Sequence, residues 1–345
     1  MTTLKIPGPD KTRLPSMQAQ ASIAGRFTVP LILTSFALMG LITMTISSCK
    51  SGIGTQCIKE GFIQVEGGRI WYRIHGTDKK LTPLLVLHGG PGGTHYYLDT
   101  LRELATERPV IFYDQLGCGL SDRPSDTSLF NLERFVRELQ RVRDELHLDR
   151  VHILGQSWGT MLGVRYTLDN PGTGIRSLVL SGPFLSAPRW AADQKMLLRA
   201  FPDSIQDIVA QCDASGKYGD PRYQDAMNQF YKRHVCRIDP WPDCVNLAFA
   251  NMGALVYSHM WGASEFSATG TLQTVDLSNE LPKLSLPVLI TCGQYDEAVP
   301  ATCEYYRGLI TGAQLLAIPE ASHMHHVENP GLYLSSVRNF LHSSD

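Results

Sequence analysis

The 345-residue sequence has no surplus of charge of either sign: 31 Lys and Arg stand against 33 Asp and Glu, a formal net charge of −2. Without a basic footprint nothing draws it electrostatically to nucleic acid or to another polyanion, so no nucleic-acid partner is expected. It also has no internal repeat and no low-complexity block, which excludes solenoids and repeat arrays. Its eight cysteines do not fall at zinc-ligand spacings, and neither a metal nor a cofactor is expected. The length suffices for one large α/β domain with an insertion, and one domain plus a cap is the expected organisation.

A more local absence marks the N-terminus. From Phe27 to Ser48 there is no charged residue, and the apolar run that begins at Val29 is long enough to reach across a membrane. Lys11, Arg13 and Arg26 precede it. A positive region, then an apolar core, then small residues is the order of a secretory signal, with Met17 an alternative start that shortens the leading stretch. Ile46-Ser47-Ser48-Cys49 resembles a bacterial lipobox, which would make Cys49 a lipidation site; an uncleaved membrane helix is the alternative. Either version predicts a protein anchored to the membrane, with everything after about Lys50 outside the cytoplasm, in the periplasm or at the cell surface. Of the seven cysteines beyond Cys49, Cys236 and Cys244 are the pair nearest in sequence for a disulfide. Cys118 and Cys292 read as small buried residues beside strand ends.

Beyond residue 50 the chain alternates strands and helices. Phe62 to Ile74 carries a hairpin pattern on each side of Gly67-Gly68. Leu84-Leu-Val-Leu and Val110-Ile-Phe-Tyr are continuous apolar runs, the pattern of strands buried on both faces. Tyr97 to Thr106 reads as a short helix, and Leu132 to Leu146 as a longer one with Phe135, Leu139, Val142 and Leu146 on one face. After another apolar run, Val151 to Leu154, comes Gly155-Gln156-Ser157-Trp158-Gly159, a G-x-S-x-G strand-to-helix turn. Such a turn needs small residues on both sides of the serine, because it strains the backbone and brings the following helix close to the strand. Met161 to Asp169 is that helix, and Ser177-Leu-Val-Leu-Ser is the next strand. The rhythm breaks from about Pro183 to Lys283, resumes at Val288-Leu-Ile-Thr and Gln314-Leu-Leu-Ala-Ile, and ends in a helix from Gly331 to Leu341. This predicts an α/β fold with a mostly parallel sheet, helices on both faces and an inserted helical cap. The segments are 1–49 (signal or anchor), 50–182 and 284–345 (the two parts of the core) and 183–283 (the cap).

In such sheets ligands sit at the carboxyl ends of the strands. If Ser157 is a nucleophile, the chain order Ser, acid, His puts the acid after a late strand and the base after the last one. Asp296 and His323 occupy those places, with His325 and His326 competing for the base. Two backbone N–H groups must receive the oxyanion, and Gly90 in His88-Gly-Gly-Pro-Gly and Trp158 fit the positions.

Several motifs in this order resemble the prolyl iminopeptidase branch of the α/β-hydrolases, which includes the tricorn-interacting aminopeptidases. They are His88-Gly-Gly-Pro-Gly, Asp114-Gln-Leu-Gly-Cys-Gly-Leu-Ser-Asp122, Gly155-Gln-Ser-Trp-Gly-Thr160, Gly293-Gln-Tyr-Asp-Glu297 and Ser322-His323. In the cap, Phe230-Tyr-Lys-Arg-His234, Trp241-Pro and Glu265-Phe-Ser-Ala-Thr-Gly-Thr match as well. The resemblance runs from about Glu60 to the C-terminus. It implies an α/β-hydrolase fold and a serine exopeptidase that releases an N-terminal residue, proline or another apolar one, from short peptides with a free N-terminus. It further implies that Glu265 and Glu297 hold the substrate's free amino or imino group; an N-terminal amine is cationic near neutral pH, which suits a carboxylate pair. An amidase or esterase using the same triad is the alternative. Trp158 fills a position that varies in the family, and its indole is expected to narrow or flatten the pocket for the first residue. Tyr231, Trp241, Tyr257, Met260 and Trp261 either shape that pocket or form the core of the cap.

Overall fold

The computed structural model describes residues 57–345; the expected N-terminal anchor and Cys49 lie outside them. No helix of the described residues is long and apolar enough to cross a membrane.

The alternating segments around Gly67-Gly68 pair as an antiparallel hairpin, β1 (Ile58–Val65) and β2 (Gly68–His75). The continuous apolar runs become β3 (Leu84–Leu87), β4 (Val110–Tyr113), β5 (Val151–Gln156) and, later, β7 (Val288–Gly293), each buried at every position. Helices on both faces of the sheet explain why these strands carry no polar side. With β6 (Ile175–Ser181) and β8 (Gln314–Ile318) they form one eight-stranded sheet of order β1-β2-β4-β3-β5-β6-β7-β8. Pairing is antiparallel for β1 with β2 and β2 with β4, and parallel from β4 onward.

Between β3 and β4 the expected short helix is a run of 3₁₀ turns, Tyr96–Thr106. Its buried Leu98, Leu101 and Leu104 recur every third residue, the period of a 3₁₀ helix rather than an α-helix. The helix α1 (Leu132–Glu145) starts at Asn131, whose side chain accepts the Arg134 N–H in the manner of an N-cap. The helix α2 (Trp158–Asp169) begins directly after the serine, earlier than the apolar pattern alone indicates.

From β6 the chain enters a helical insertion of α3 (Ala187–Leu198), α4 (Asp203–Ser215), α5 (Pro221–His234), α6 (Asp243–Ala250) and α7 (Ala254–Met260). It returns to the sheet at β7, followed by α8 (Pro300–Leu309), β8, the short α9 (His325–Glu328) and α10 (Pro330–Ser344). Cys236 and Cys244 are both thiols, not a disulfide.

Alternate residues of each central strand point to opposite sides. Leu85, Leu87, Ile111, Ile153 and Ile290 join Phe135, Met161 and Tyr306 in one core cluster. Leu84, Val86, Val110, Phe112 and Leu154 join Leu101, Val337 and Leu341 in the other. At about 1.5–3 kcal/mol for each large apolar side chain removed from water, these two layers hold the sheet rigid. A third cluster belongs to the insertion alone and contains Phe201, Val209, Met227, Phe230 and Phe266.

Candidate active site

The turn after β5 holds Ser157 at φ 52° and ψ −121°, a conformation that a side-chain-bearing residue adopts only when its surroundings force it. The glycines on each side make the turn possible. A β-carbon on Gly155 would run into the Gly159 carbonyl, and one on Gly159 into the Leu87 carbonyl. The Ser157 N–H donates to Ser181 O at 2.9 Å and the Thr160 hydroxyl donates to Ser157 O at 2.6 Å, so the backbone of the turn is tied to β6 and to its own helix. The side chain is left to face a cavity of about 280 Å³.

Asp296 and His323 meet at that cavity. The Nδ1 of His323 lies 2.7 Å from Asp296 Oδ1, which also accepts the Ala298 N–H at 2.7 Å, while Oδ2 accepts the Gly293 N–H at 3.0 Å. A carboxylate on Nδ1 requires the proton there and leaves Nε2 as the nitrogen able to take a proton from a hydroxyl. Burial disfavours the Asp296 charge, but His323 and hydrogen bonds from His323 and His325 outweigh it and hold the carboxyl low. Burial likewise disfavours the His323 cation; Asp296 and Glu297 outweigh it and hold His323 up to about 9. His323 and Ser157 line the same cavity.

The neighbouring histidines are placed elsewhere. His326 Nε2 lies 3.0 Å from Tyr97 O, and burial pushes its side chain down to about 3. His325 stands behind the acid: its Nδ1 is 3.1 Å from Ser322 O and 3.4 Å from Asp296 Oδ2, and its Nε2 is within 3.0 Å of Ser181 Oγ and 2.9 Å of Thr291 Oγ1. Adjacency to His323 in sequence does not distinguish these two; the short turn of α9 sends them in different directions.

Gly90 lines the cavity. Trp158 is the first residue of α2, where a backbone N–H has no intrahelical acceptor. The loop that carries Gly90 is pinned to the elbow through Tyr97, whose hydroxyl receives the Gly89 N–H at 2.7 Å and donates to Gln156 Oε1 at 2.6 Å. The Trp158 indole does not narrow the pocket. It is fully buried, donates from Nε1 to Gln115 Oε1 at 2.9 Å, and packs edge-on against Phe135 in the layer beneath the elbow. Side chains in the first turn of a helix lie back over the preceding chain, and here that direction leads into the core.

Glu265 and Glu297 line the cavity from two sides of the chain, one after α7 and one beside Asp296. Glu265 is half-buried, and its Oε2 accepts hydrogen bonds from Tyr257 at 2.9 Å and Tyr231 at 3.3 Å. Burial raises its pKa against those two hydroxyls. Glu297 is buried; its Oε1 is 3.5 Å from His323 Nε2, and its Oε2 has no hydrogen-bond partner among the described residues. Burial, opposed by His323 and reinforced by Glu265 and Asp296, pushes it well up. An unpaired carboxylate oxygen in such a place has a strong call for a cationic donor. Aromatic rings form much of the remaining wall: Phe184 lies edge-on to Trp190 at 5.3 Å and to Trp261 at 5.5 Å, and Trp190 lies edge-on to His323 at 5.8 Å. Of the five cap residues that the sequence leaves between pocket and core, Tyr231, Tyr257 and Trp261 line the cavity; Met260 lies in the core and Trp241 packs against the second cluster. Among the described residues no group of three or more His, Cys, Asp or Glu is arranged to hold a metal ion.

The chain is similar to known proteins over most of its length. The family described as alpha/beta hydrolase fold matches residues 82–330. The chain is 42% identical over 285 residues to a proline iminopeptidase of Heyndrickxia coagulans, covering 82% of this chain and 99% of that one. It is 33% identical to a proline iminopeptidase of Saccharolobus solfataricus, covering 82% and 92%. The crystal structure of a proline iminopeptidase from Mycobacterium smegmatis superposes with a TM-score of 0.76 at 33% identity, covering 83% of this chain and 98% of that one.

Proposed function

The chain belongs to the proline iminopeptidases within the α/β-hydrolase family, and on that premise we propose that it is a serine aminopeptidase releasing an N-terminal residue, proline above all, from short peptides. The observation that carries this reading is the pair of carboxylates, Glu265 and Glu297, facing the same cavity as Ser157. A cationic N-terminus bound between them sets the first peptide bond near the serine, and a blocked terminus gives them nothing to pair with. The flat rings of Phe184, Trp190 and Trp261 suit an apolar ring at the first residue, and a helical insertion beside the site is expected to exclude long or folded chains.

In this reading His323 Nε2 takes the proton from Ser157 as Oγ attacks the scissile carbonyl. The N–H groups of Gly90 and Trp158 receive the oxyanion. The C–N bond then breaks, the leaving amine takes the proton from His323, and the acyl-enzyme is hydrolysed by water activated at the same nitrogen. Asp296 keeps the ring oriented and stabilises its cationic form.

A panel of Pro-, Ala-, Leu-, Phe- and acetyl-Pro-anilides run with wild type and Ser157→Ala tests the proposal. Release of the free-amine anilides by wild type alone, with Pro fastest, supports it. Faster turnover of acetyl-Pro-anilide or of simple esters would favour an amidase or esterase instead.

We also propose that the enzyme is tethered outside the cytoplasm, a reading supported by the uncharged stretch from Phe27 to Ser48 and by Cys49. Recovery of full-length, untethered protein from cytosol would contradict the tether, and palmitate labelling that survives Cys49→Ser would remove the lipoprotein version.

A further inference from the structure

The nitrogen that must be free for chemistry is the one that Glu297 faces. His323 has its Nδ1 committed to Asp296 at 2.7 Å, so only Nε2 can accept the Ser157 proton, and Glu297 Oε1 lies 3.5 Å from it. Glu265 has two tyrosine hydroxyls to stabilise its charge, whereas the other oxygen of Glu297 has no partner among the described residues. Among the described residues the imidazole is therefore the only cationic partner within ion-pair reach of the Glu297 carboxylate. A buried acid and a buried base in such contact, beside two further carboxylates, retain a proton that neither would hold in water.

We propose that in the empty enzyme one proton is lodged between His323 Nε2 and Glu297 Oε1, and that the substrate's ammonium group displaces it, so that the base is released only when an N-terminal amine is in place. The proposal rests on the reading of Glu265 and Glu297 as the amine subsite and adds a second consequence to it. The displaced proton leaves to bulk water. The ammonium donates to Glu297, the Nε2 lone pair is exposed, and it can then accept the Ser157 hydroxyl proton as the Oγ–C bond forms. The raised positions of His323, up to about 9, and of Glu297 agree with a retained proton. The groups that face His323 are Asp296 and Glu297 from the loop after β7, Glu265 from the insertion, His234 at the end of α5, whose backbone carbonyl accepts the backbone N–H of His323 at 3.0 Å, and His325 and His326 along its own loop.

Two measurements test the proposal. Labelling of Ser157 by an uncharged alkyl phosphonofluoridate, which carries no amine, should rise with pH in wild type to a midpoint near 9. In Glu297→Gln the midpoint should fall by at least about one pH unit, making labelling at pH 7 roughly tenfold faster, although KM for prolyl anilide rises. Glu265→Gln should raise KM as well while moving the labelling midpoint much less. In wild type, calorimetry of pyrrolidine binding at pH 7 in two buffers of different ionisation enthalpy should find roughly one proton released per amine bound. Identical labelling midpoints in wild type and Glu297→Gln, or amine binding with no proton release, would overturn the proposal; the second measurement stands even if the variant fails to fold. If KM is unchanged in both variants, the amine-subsite reading fails, and a labelling midpoint that still moves in Glu297→Gln then leaves the shared proton but removes the amine as its trigger.

Discussion

The sheet rim and the helical insertion contribute to one cavity by different means. On the rim each proposed reacting group follows a strand: Ser157 follows β5, Asp296 follows β7 and His323 follows β8. Their positions are locked by short backbone contacts such as the Gly293 and Ala298 N–H bonds to Asp296. In the insertion, Glu265 is held by side chains instead, Tyr231 and Tyr257, on helices whose mutual packing has no strand to register it. In the proposed reading the rim breaks the bond, and the insertion, through Glu265 and together with Glu297 from the rim, selects which molecule is presented.

The sharpest way to break that division is Ser157→Ala. It should lower kcat by about 10⁴-fold or more while leaving binding of a free-amine ligand intact; loss of binding together with turnover would show that the two regions are not separable. Next in size, Glu265→Gln should raise KM for prolyl anilide by about 30-fold or more with a much smaller change in kcat, the reverse signature. Steady-state kinetics on both variants decides this, and a kcat effect larger than the KM effect would move Glu265 to the chemical side. Third, His325→Leu should lower kcat roughly tenfold at nearly constant KM, because Asp296 loses the group behind it. His325→Asn, which keeps a donor toward Ser322 and Asp296, should recover most of the rate; equal losses in both would mean a packing defect only. The smallest effect is expected from Trp158→Phe. Losing the Nε1 bond to Gln115 should destabilise the fold by about 1–2 kcal/mol, read as a lower denaturation midpoint, with the ratio of Pro- to Ala-anilide turnover unchanged. A changed ratio would return the indole to the pocket.

The same division explains what could be read from the residues alone. Buried parallel strands announce themselves as apolar runs, and loops after them share one rim, so Ser157, Asp296 and His323 stand out by order. Glu265 and Glu297 carry no local signal. A glutamate becomes half-buried against two hydroxyls, or buried beside an imidazole, only through neighbours remote in sequence such as Tyr231 and His323, so a family resemblance was needed to single them out. The direction of the Trp158 ring was equally hidden: it depends on room beside Phe135 and Gln115, which no pattern near residue 158 encodes. The short helix at Tyr96–Thr106 was legible as a helix, and its 3₁₀ form is written in the three-residue spacing of its leucines.

Glu265 adjoins Phe266, and Phe266 belongs to the cluster with Phe201, Met227 and Phe230 that the insertion builds for itself. The proposed anchor for the substrate's amine thus adjoins a core built by the insertion itself, while the tyrosines that hold it, Tyr231 and Tyr257, also pack against the clusters on the sheet. Exchange of side chains at Phe201 or Met227 is therefore expected to shift the distance from Glu265 to Ser157 without altering any residue that lines the cavity.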